Sequence, residues 1–112
     1  MLFPVTIGGT RDGGVMIRPT GDVDLSNAFV IREAVDRALV GVKPRRIVID
    51  LSGVTVIDSV GIGVLVSCYH AAAACQVPLV ATQPSYTVYR QLWVAGLVGL
   101  FGLATPRAEA VA

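Results

Sequence analysis

The sequence predicts a mixed α/β domain, a mixed sheet of four to five strands with three to four helices packed on it, and three observations lead there. Short β-branched runs alternate with longer segments of helical periodicity, and the connections between them are brief and rich in Gly, Pro, Asp and Ser. One run, Arg46-Ile47-Val48-Ile49-Asp50-Leu51, is apolar without alternation, the pattern of a strand buried on both faces, and it belongs at the centre of the sheet. At 112 residues the chain is expected to form one domain, 1–112. Hydrophobic residues make up 54% and charged ones 15%, which excludes an extended disordered chain and leaves apolar surface to be exposed or shared with a partner.

The elements follow in order. Phe3 to Ile7 suits a first strand, and Gly8-Gly9 with Arg11-Asp12-Gly13-Gly14 supplies the turn of a hairpin. Val15 to Val23 reads as a second strand, broken late by Pro19 and Gly21. Asp24 to Ser26 offers N-caps for a helix over Asn27 to Val40, in which Ala28, Ile31, Val35 and Ala38 share one face, and Gly41 and Pro44 end it. After the central strand come a Ser52-Gly53 turn, the segment Val54 to Ile57, and a helix from Ser59 to about Cys75, favoured by its Ala71 to Ala74 run. Gln76 to Thr82 gives the next strand, Ser85 caps a last helix through about Ala95 with Val88, Leu92 and Ala95 on one face, and Leu100 to Leu103 is expected as a short edge strand.

Several function classes are disfavoured. Net charge is +1 with scattered basic residues, so no basic face for direct nucleic-acid binding is expected. Val60 to Cys75, interrupted by two glycines and His70, and the shorter Leu92 to Ala104 fall short of a bilayer span, and Met1 to Thr10 lacks the basic start of a signal peptide. The expectation is a cytoplasmic protein without membrane insertion. Cys68 and Cys75 lie seven positions apart, about 10.5 Å along one helix, too far for a bridge, and both are expected as packing residues. No Cys/His cluster suggests a metal, and no cofactor is implied. His70, the single histidine, is eleven residues from Ser59 on the same helix, roughly 16 Å away, so no catalytic triad forms. Gly61 and Gly63 are not followed by the lysine of a phosphate loop, and Asp50 lacks the acidic cluster of a phosphate receiver, so Asp50 is read as ending its strand or capping a turn. The chain is not expected to be an enzyme.

What remains is Val56-Ile57-Asp58-Ser59-Val60-Gly61-Ile62-Gly63, where a strand hands over to a helix. The unpaired N–H groups and positive dipole end of a helix start let Ser59 either cap the helix or carry a phosphate. The two glycines permit either close approach of a partner backbone or tight helix packing.

Three segments together, Thr20-Gly21-Asp22-Val23-Asp24-Leu25, Ile47-Val48-Ile49-Asp50-Leu51-Ser52 and Ile57-Asp58-Ser59-Val60-Gly61-Ile62-Gly63-Val64, resemble in order and spacing the STAS domain of bacterial anti-sigma factor antagonists. The likeness runs from about Val15 to Phe101 and includes Ala95-Gly96-Leu97 and Phe101. It implies a non-enzymatic module that binds an anti-sigma factor serine kinase, releases a sigma factor for transcription, and is switched off by phosphorylation on Ser59 and restored by a phosphatase. It also implies a partner-binding region of Asp24, Asn27, Asp58, Ser59, Val60, Gly61 and Ile62. Val60 stands where relatives often carry a second hydroxyl, leaving one acceptor in the motif. The apolar stretches Cys68 to Cys75 and Trp93 to Phe101 suggest a homodimer face or a standing partner. The alternative function is therefore a constitutive STAS subunit of a transporter or another regulatory assembly.

Overall fold

The computed structural model describes residues 4–41 and 43–104. In chain order the elements are β1 (Val5–Gly9), β2 (Val15–Pro19), β3 (Gly21–Val23), α1 (Ala28–Leu39), β4 (Ile47–Asp50), β5 (Val54–Ile57), α2 (Ser59–Ala74), β6 (Leu79–Thr82) and α3 (Tyr86–Val94). Four strands form a mixed sheet in the order β1-β2-β4-β6, with β1 antiparallel to β2 and the other neighbours parallel. The parallel pair β3-β5 forms a second, smaller sheet. The expected α/β class, with four sheet strands and three helices among the described residues, is what the chain adopts.

β4 is central, and Ile47, Val48 and Ile49 are all buried, as their unbroken apolar run requires. Ala28, Ile31 and Val35 of α1 turn inward, and α1 packs on α2 and on β2. Leu65, Cys68 and Ala72 carry α2 into the same core, which Val88 and Leu92 of α3 complete. This helical scaffold fixes the end of β5 and the start of α2.

The structure moves several boundaries. The first strand runs through Gly8 and Gly9, which pair with Met16 and Val15, so the turn is confined to Thr10–Gly14, where Gly13 has φ +86°. Phe3, expected in that strand, lies outside the described residues. The predicted strand Val15 to Val23 is two strands in two sheets: pairing with β4 ends at Ile17, β2 ends at Pro19 beside β1, and the Gly21 N–H donates to Gly53 O (2.8 Å). A Cβ on Gly53 would stand 2.9 Å from Pro19 O, so that crossing needs a glycine.

Leu100 to Leu103 is not a strand. It forms turns that bury Phe101, and Phe101 O accepts from Ala81 N (3.0 Å), giving the edge strand β6 a partner without extending the sheet. Ala95, expected inward, is the exposed C-cap of α3, and Cys75, expected to pack, is exposed just past the end of α2. The stretch Cys68 to Cys75 makes no broad apolar face, because Cys68 and Ala72 turn inward while Ala73 and Ala74 expose only methyl groups. In the other stretch Trp93 and Val94 are exposed, but Val98 and Phe101 fold back into the protein.

Candidate functional site

β3 and β5 run parallel and end side by side, so the loop leaving β3 and the first turn of α2 meet at one end of the small sheet. The Asp58 N–H donates to Val23 O (3.0 Å), tying the two strand ends together. Beyond that bond the chain turns into α2.

Asp58, rather than Ser59, is the N-cap. Its Oδ1 accepts from the Gly61 N–H (2.8 Å) and its backbone oxygen accepts the first helical bond from Ile62 N (2.9 Å). Its Oδ2 accepts from the Leu25 N–H (3.3 Å), so one carboxylate clamps the β3–α1 loop to the start of α2. Ser59 is consequently the first helical residue, exposed, and its hydroxyl makes no hydrogen bond among the described residues. An aspartate directly before a helix is a strong cap, and its extended backbone (φ −91°, ψ 179°) suits that role.

The β3–α1 loop is held by its own polar side chains. Asp24 Oδ1 accepts from the Ser26 hydroxyl (2.6 Å) and the Ser26 N–H (2.9 Å), while Asn27 Oδ1 accepts from Asp24 N (2.9 Å) and Asn27 Nδ2 donates to Asp22 O (2.8 Å). The Ser26 hydroxyl, followed by its backbone N–H, holds the Asp24 carboxyl below its ordinary pKa. The Thr55 hydroxyl donates to the Asp22 carboxylate across the small sheet. Asn27 therefore braces the loop, and the expected helix cap from Asp24 to Ser26 becomes a turn whose side chains bond one another; Asn27 occupies the cap position of α1 without a side-chain cap bond.

The two glycines separate. Gly61 is buried, and a Cβ there would lie 2.7 Å from Ile57 Cγ1 and 2.8 Å from Val23 Cγ1, so it is required by packing of α2 on the strand ends. Gly63 is exposed, with nothing within 4 Å of such a Cβ.

Of the seven residues expected in the partner-binding region, Asp58, Ser59 and Val60 are exposed on one end of the molecule, Asp24, Asn27 and Ile62 are partly buried, and Gly61 is interior. Exposed apolar side chains accompany them: Val60 (40% exposed) from the expected region, Val94 (73%) from the apolar stretch after Trp93, and Leu25 (75%) and Phe29 (56%), which sequence reasoning did not single out as surface. Leu25 was legible only as the end of a motif, because nothing in its spacing says that the adjoining loop is pinned to Asp58. Arg90 and Gln91 were missed as well. Gln91 Oε1 accepts from the Ile57 N–H (3.0 Å), joining α3 to the last residue of β5, and a groove of about 480 Å³ is lined by Ile57, Asp58, Ser59, Ile62, Arg90, Gln91, Val94 and Ala95.

Among the described residues no histidine or carboxylate is hydrogen-bonded to the Ser59 hydroxyl. His70 is exposed near the far end of α2, and Asp50, the last residue of β4, accepts from the Ser52 N–H (2.9 Å), so it both ends the strand and caps the turn, as expected. Among the described residues no group of His, Cys, Asp and Glu could hold a metal ion, and no helix is long and apolar enough to cross a membrane.

On this mixed α/β fold the exposed hydroxyl of Ser59 thus stands at a helix start, beside the Asp58 carboxylate and the apolar side chains of Ile57, Ile62 and Val94. The family model described as the STAS domain matches residues 7–110, and the chain belongs to that family. Its fold is similar to that of the anti-sigma factor antagonist SpoIIAA in its unphosphorylated form, at 22% identity and a TM-score of 0.76, over 96% of this chain and 93% of that one. SpoIIAA of Bacillus in its phosphorylated form matches at 21% identity, TM-score 0.68, over 96% of each chain. An anti-sigma factor antagonist from Mycobacterium paratuberculosis matches at 24% identity, TM-score 0.75, over 97% of this chain and 91% of that one. A sulfate transporter family protein from Wolinella succinogenes shares the fold at 16% identity, TM-score 0.71, over 84% of this chain and 75% of that one. No curated protein matches the chain in sequence.

Proposed function

We propose that residues 1–112 act as a single, non-enzymatic STAS domain that works as an anti-sigma factor antagonist: it binds an anti-sigma factor serine kinase, frees a sigma factor, and is switched off by phosphorylation of Ser59 and restored by a phosphatase. The observation that carries this reading is the state of Ser59, an exposed hydroxyl with no hydrogen-bond partner among the described residues, on a helix start already capped by Asp58. Solved structures of SpoIIAA in unphosphorylated and phosphorylated forms support it by fold.

Asp24, Asn27, Asp58, Ser59, Val60, Gly61 and Ile62 form the binding region in this proposal, with different duties. Val60, together with Leu25 and Phe29, supplies exposed apolar contact; Gly61 and Asn27 keep the surface in shape. A phosphate brings about −1.5 to −2 charges at neutral pH, and the positive end of α2 tolerates them, so the fold survives modification. A partner closed over Ser59 would have to desolvate that charge beside Asp58, and each ~1.4 kcal/mol lost costs tenfold in affinity.

The test is capture of partners by wild type and by Ser59→Asp, with identification of the proteins lost. A kinase-like anti-sigma factor is expected to bind wild type and to be lost with Ser59→Asp, and in the presence of ATP to add one phosphate to wild type and none to Ser59→Ala. Phosphate incorporated elsewhere, or unchanged affinity of Ser59→Asp by calorimetry, would reject the switch.

A second reading, a constitutive subunit of a transporter or other assembly, is favoured by the likeness to the sulfate transporter family protein and by the exposure of Trp93 and Val94. Neighbouring genes separate the two: a sigma factor or an ATPase of the histidine-kinase type supports the first, transporter components the second.

A further inference from the structure

The geometry points to Arg90 as the residue that receives a phosphate carried on Ser59, holding it in the groove between α2 and α3. This inference rests on the reading of Ser59 as the modified residue. Ser59 and Arg90 line the same groove, Ser59 from the first turn of α2 and Arg90 from α3. Arg90 is the one basic side chain in that lining, which on the β5–α2 side includes Asp58, Ile57 and Ile62 and on its own helix Val94.

The guanidinium is free to turn toward a new anion. It is exposed, it forms no salt bridge among the described residues, and it donates a long hydrogen bond to the Tyr86 hydroxyl (3.5 Å). Its backbone is less free, because the next residue, Gln91, is bonded to Ile57 N two residues before Ser59 (3.0 Å). The bond to β5 thus sets where Arg90 leaves α3 relative to the start of α2. Before modification the carboxylate of Asp58 is occupied with Gly61 and Leu25, so it leaves Arg90 unpaired. After modification the phosphate offers three acceptor oxygens that an arginine fork can take pairwise, while repulsion from Asp58 drives the dianion toward the cation across the groove. The pair would lie over Ile62 and Val94, so the phosphate would cover the groove as well as charge its rim.

The experiment uses the full chain with phosphoserine installed at position 59 during translation, which needs no kinase. Phosphorus NMR then follows the second ionisation of the phosphate in wild type, Arg90→Gln and Arg90→Lys. Wild type is expected to titrate about 0.5 below Arg90→Gln, the shift expected of an exposed ion pair, with Arg90→Lys between the two because it keeps charge and loses the fork. In unphosphorylated protein the urea midpoints of wild type and Arg90→Gln should coincide, since Arg90 is exposed. A double-mutant cycle of Ser59→Glu and Arg90→Gln should show favourable coupling in the same unfolding assay. Identical titration in wild type and Arg90→Gln would overturn the assignment, whether or not a kinase ever modifies Ser59. Conversely, a kinase that ignores Ser59 rejects the functional reading and leaves the pairing measurement standing.

Discussion

The two glycines at the start of α2 give opposite predictions for the same substitution. Gly61 is the third helical residue, and alanine there must fit a Cβ at 2.7 Å from Ile57 Cγ1 and 2.8 Å from Val23 Cγ1. Ile57 and Val23 are essentially inaccessible, and both clashing atoms are branches close to their own backbones, so neither can swing aside. Overpacking of this kind costs about 1–3 kcal/mol. The offsetting gain in helix propensity is at most about 1 kcal/mol and is smaller in the first turn, so Gly61→Ala should lose about 1–2 kcal/mol. At Gly63, two residues on, the same methyl meets open space in the helix interior, and Gly63→Ala should gain about 0.5–1 kcal/mol.

Urea unfolding followed by far-UV circular dichroism reads both, because α2 is the longest helix among the described residues. Taking a slope of about 2 kcal/mol/M, Gly61→Ala should lower the midpoint by about 0.5–1 M, and Gly63→Ala should raise it by about 0.25–0.5 M. A Gly61→Ala midpoint at or above wild type would refute the packing argument. So would a Gly63→Ala protein less stable than wild type, since that would place unseen structure against the open face of α2.

Two further outcomes follow from the same geometry. Asp58→Ala removes both the helix cap and the bond to Leu25 N, and should cost about 1–2 kcal/mol in thermal or urea unfolding, whereas Asp58→Asn, which keeps an acceptor oxygen, should cost less. With a thiol reagent near pH 8 one cysteine, the exposed Cys75, should react promptly and Cys68 only after unfolding; burial pushes the Cys68 thiol up from 9.0 to about 11. The sign of the resulting pH dependence is fixed: above pH 9 the unfolded thiol ionises while the buried one stays protonated, so stability falls between pH 9 and about 11, and Cys68→Ser should lack that fall.

Much of this was legible in the sequence because it depends on local pattern. The β-branched run of β4, the inward face of α1 and the Ser85 cap, whose Oγ accepts from Val88 N (3.2 Å), are set by residues within one element. What escaped depends on pairs far apart in the chain. The break between β2 and β3 is decided by Gly53, which alone lets Pro19 O and the Gly21 N–H come close to the turn after β4. The turn at Leu100–Leu103 looked like a strand because its apolar residues serve a strand edge; Phe101 reaches the edge of β6 through one carbonyl and buries its ring against Tyr69 (centroids 6.2 Å apart, 84° between planes). Arg90 and Gln91 could not be linked to Ser59 by spacing, since only the packing of α3 on β5 brings them to the same groove.

The cap assignment has the largest consequence for the proposed function. A serine that caps a helix has its oxygen engaged with a backbone N–H, and loss of such a cap costs typically about 1 kcal/mol. A modification there would be felt by the fold itself. With Asp58 in the cap position, the oxygen of Ser59 is released from that duty while remaining within the positive end of the same helix. Charge can therefore be added to or removed from Ser59 at little cost to α2, and its effect falls on whatever closes over the groove. The aspartate before the serine is thus more than a negative neighbour: by holding Gly61 and Leu25 in place it keeps the helix start and the loop after β3 in one shape, so that under the proposed switch a phosphate on Ser59 would leave the start of α2 as it is.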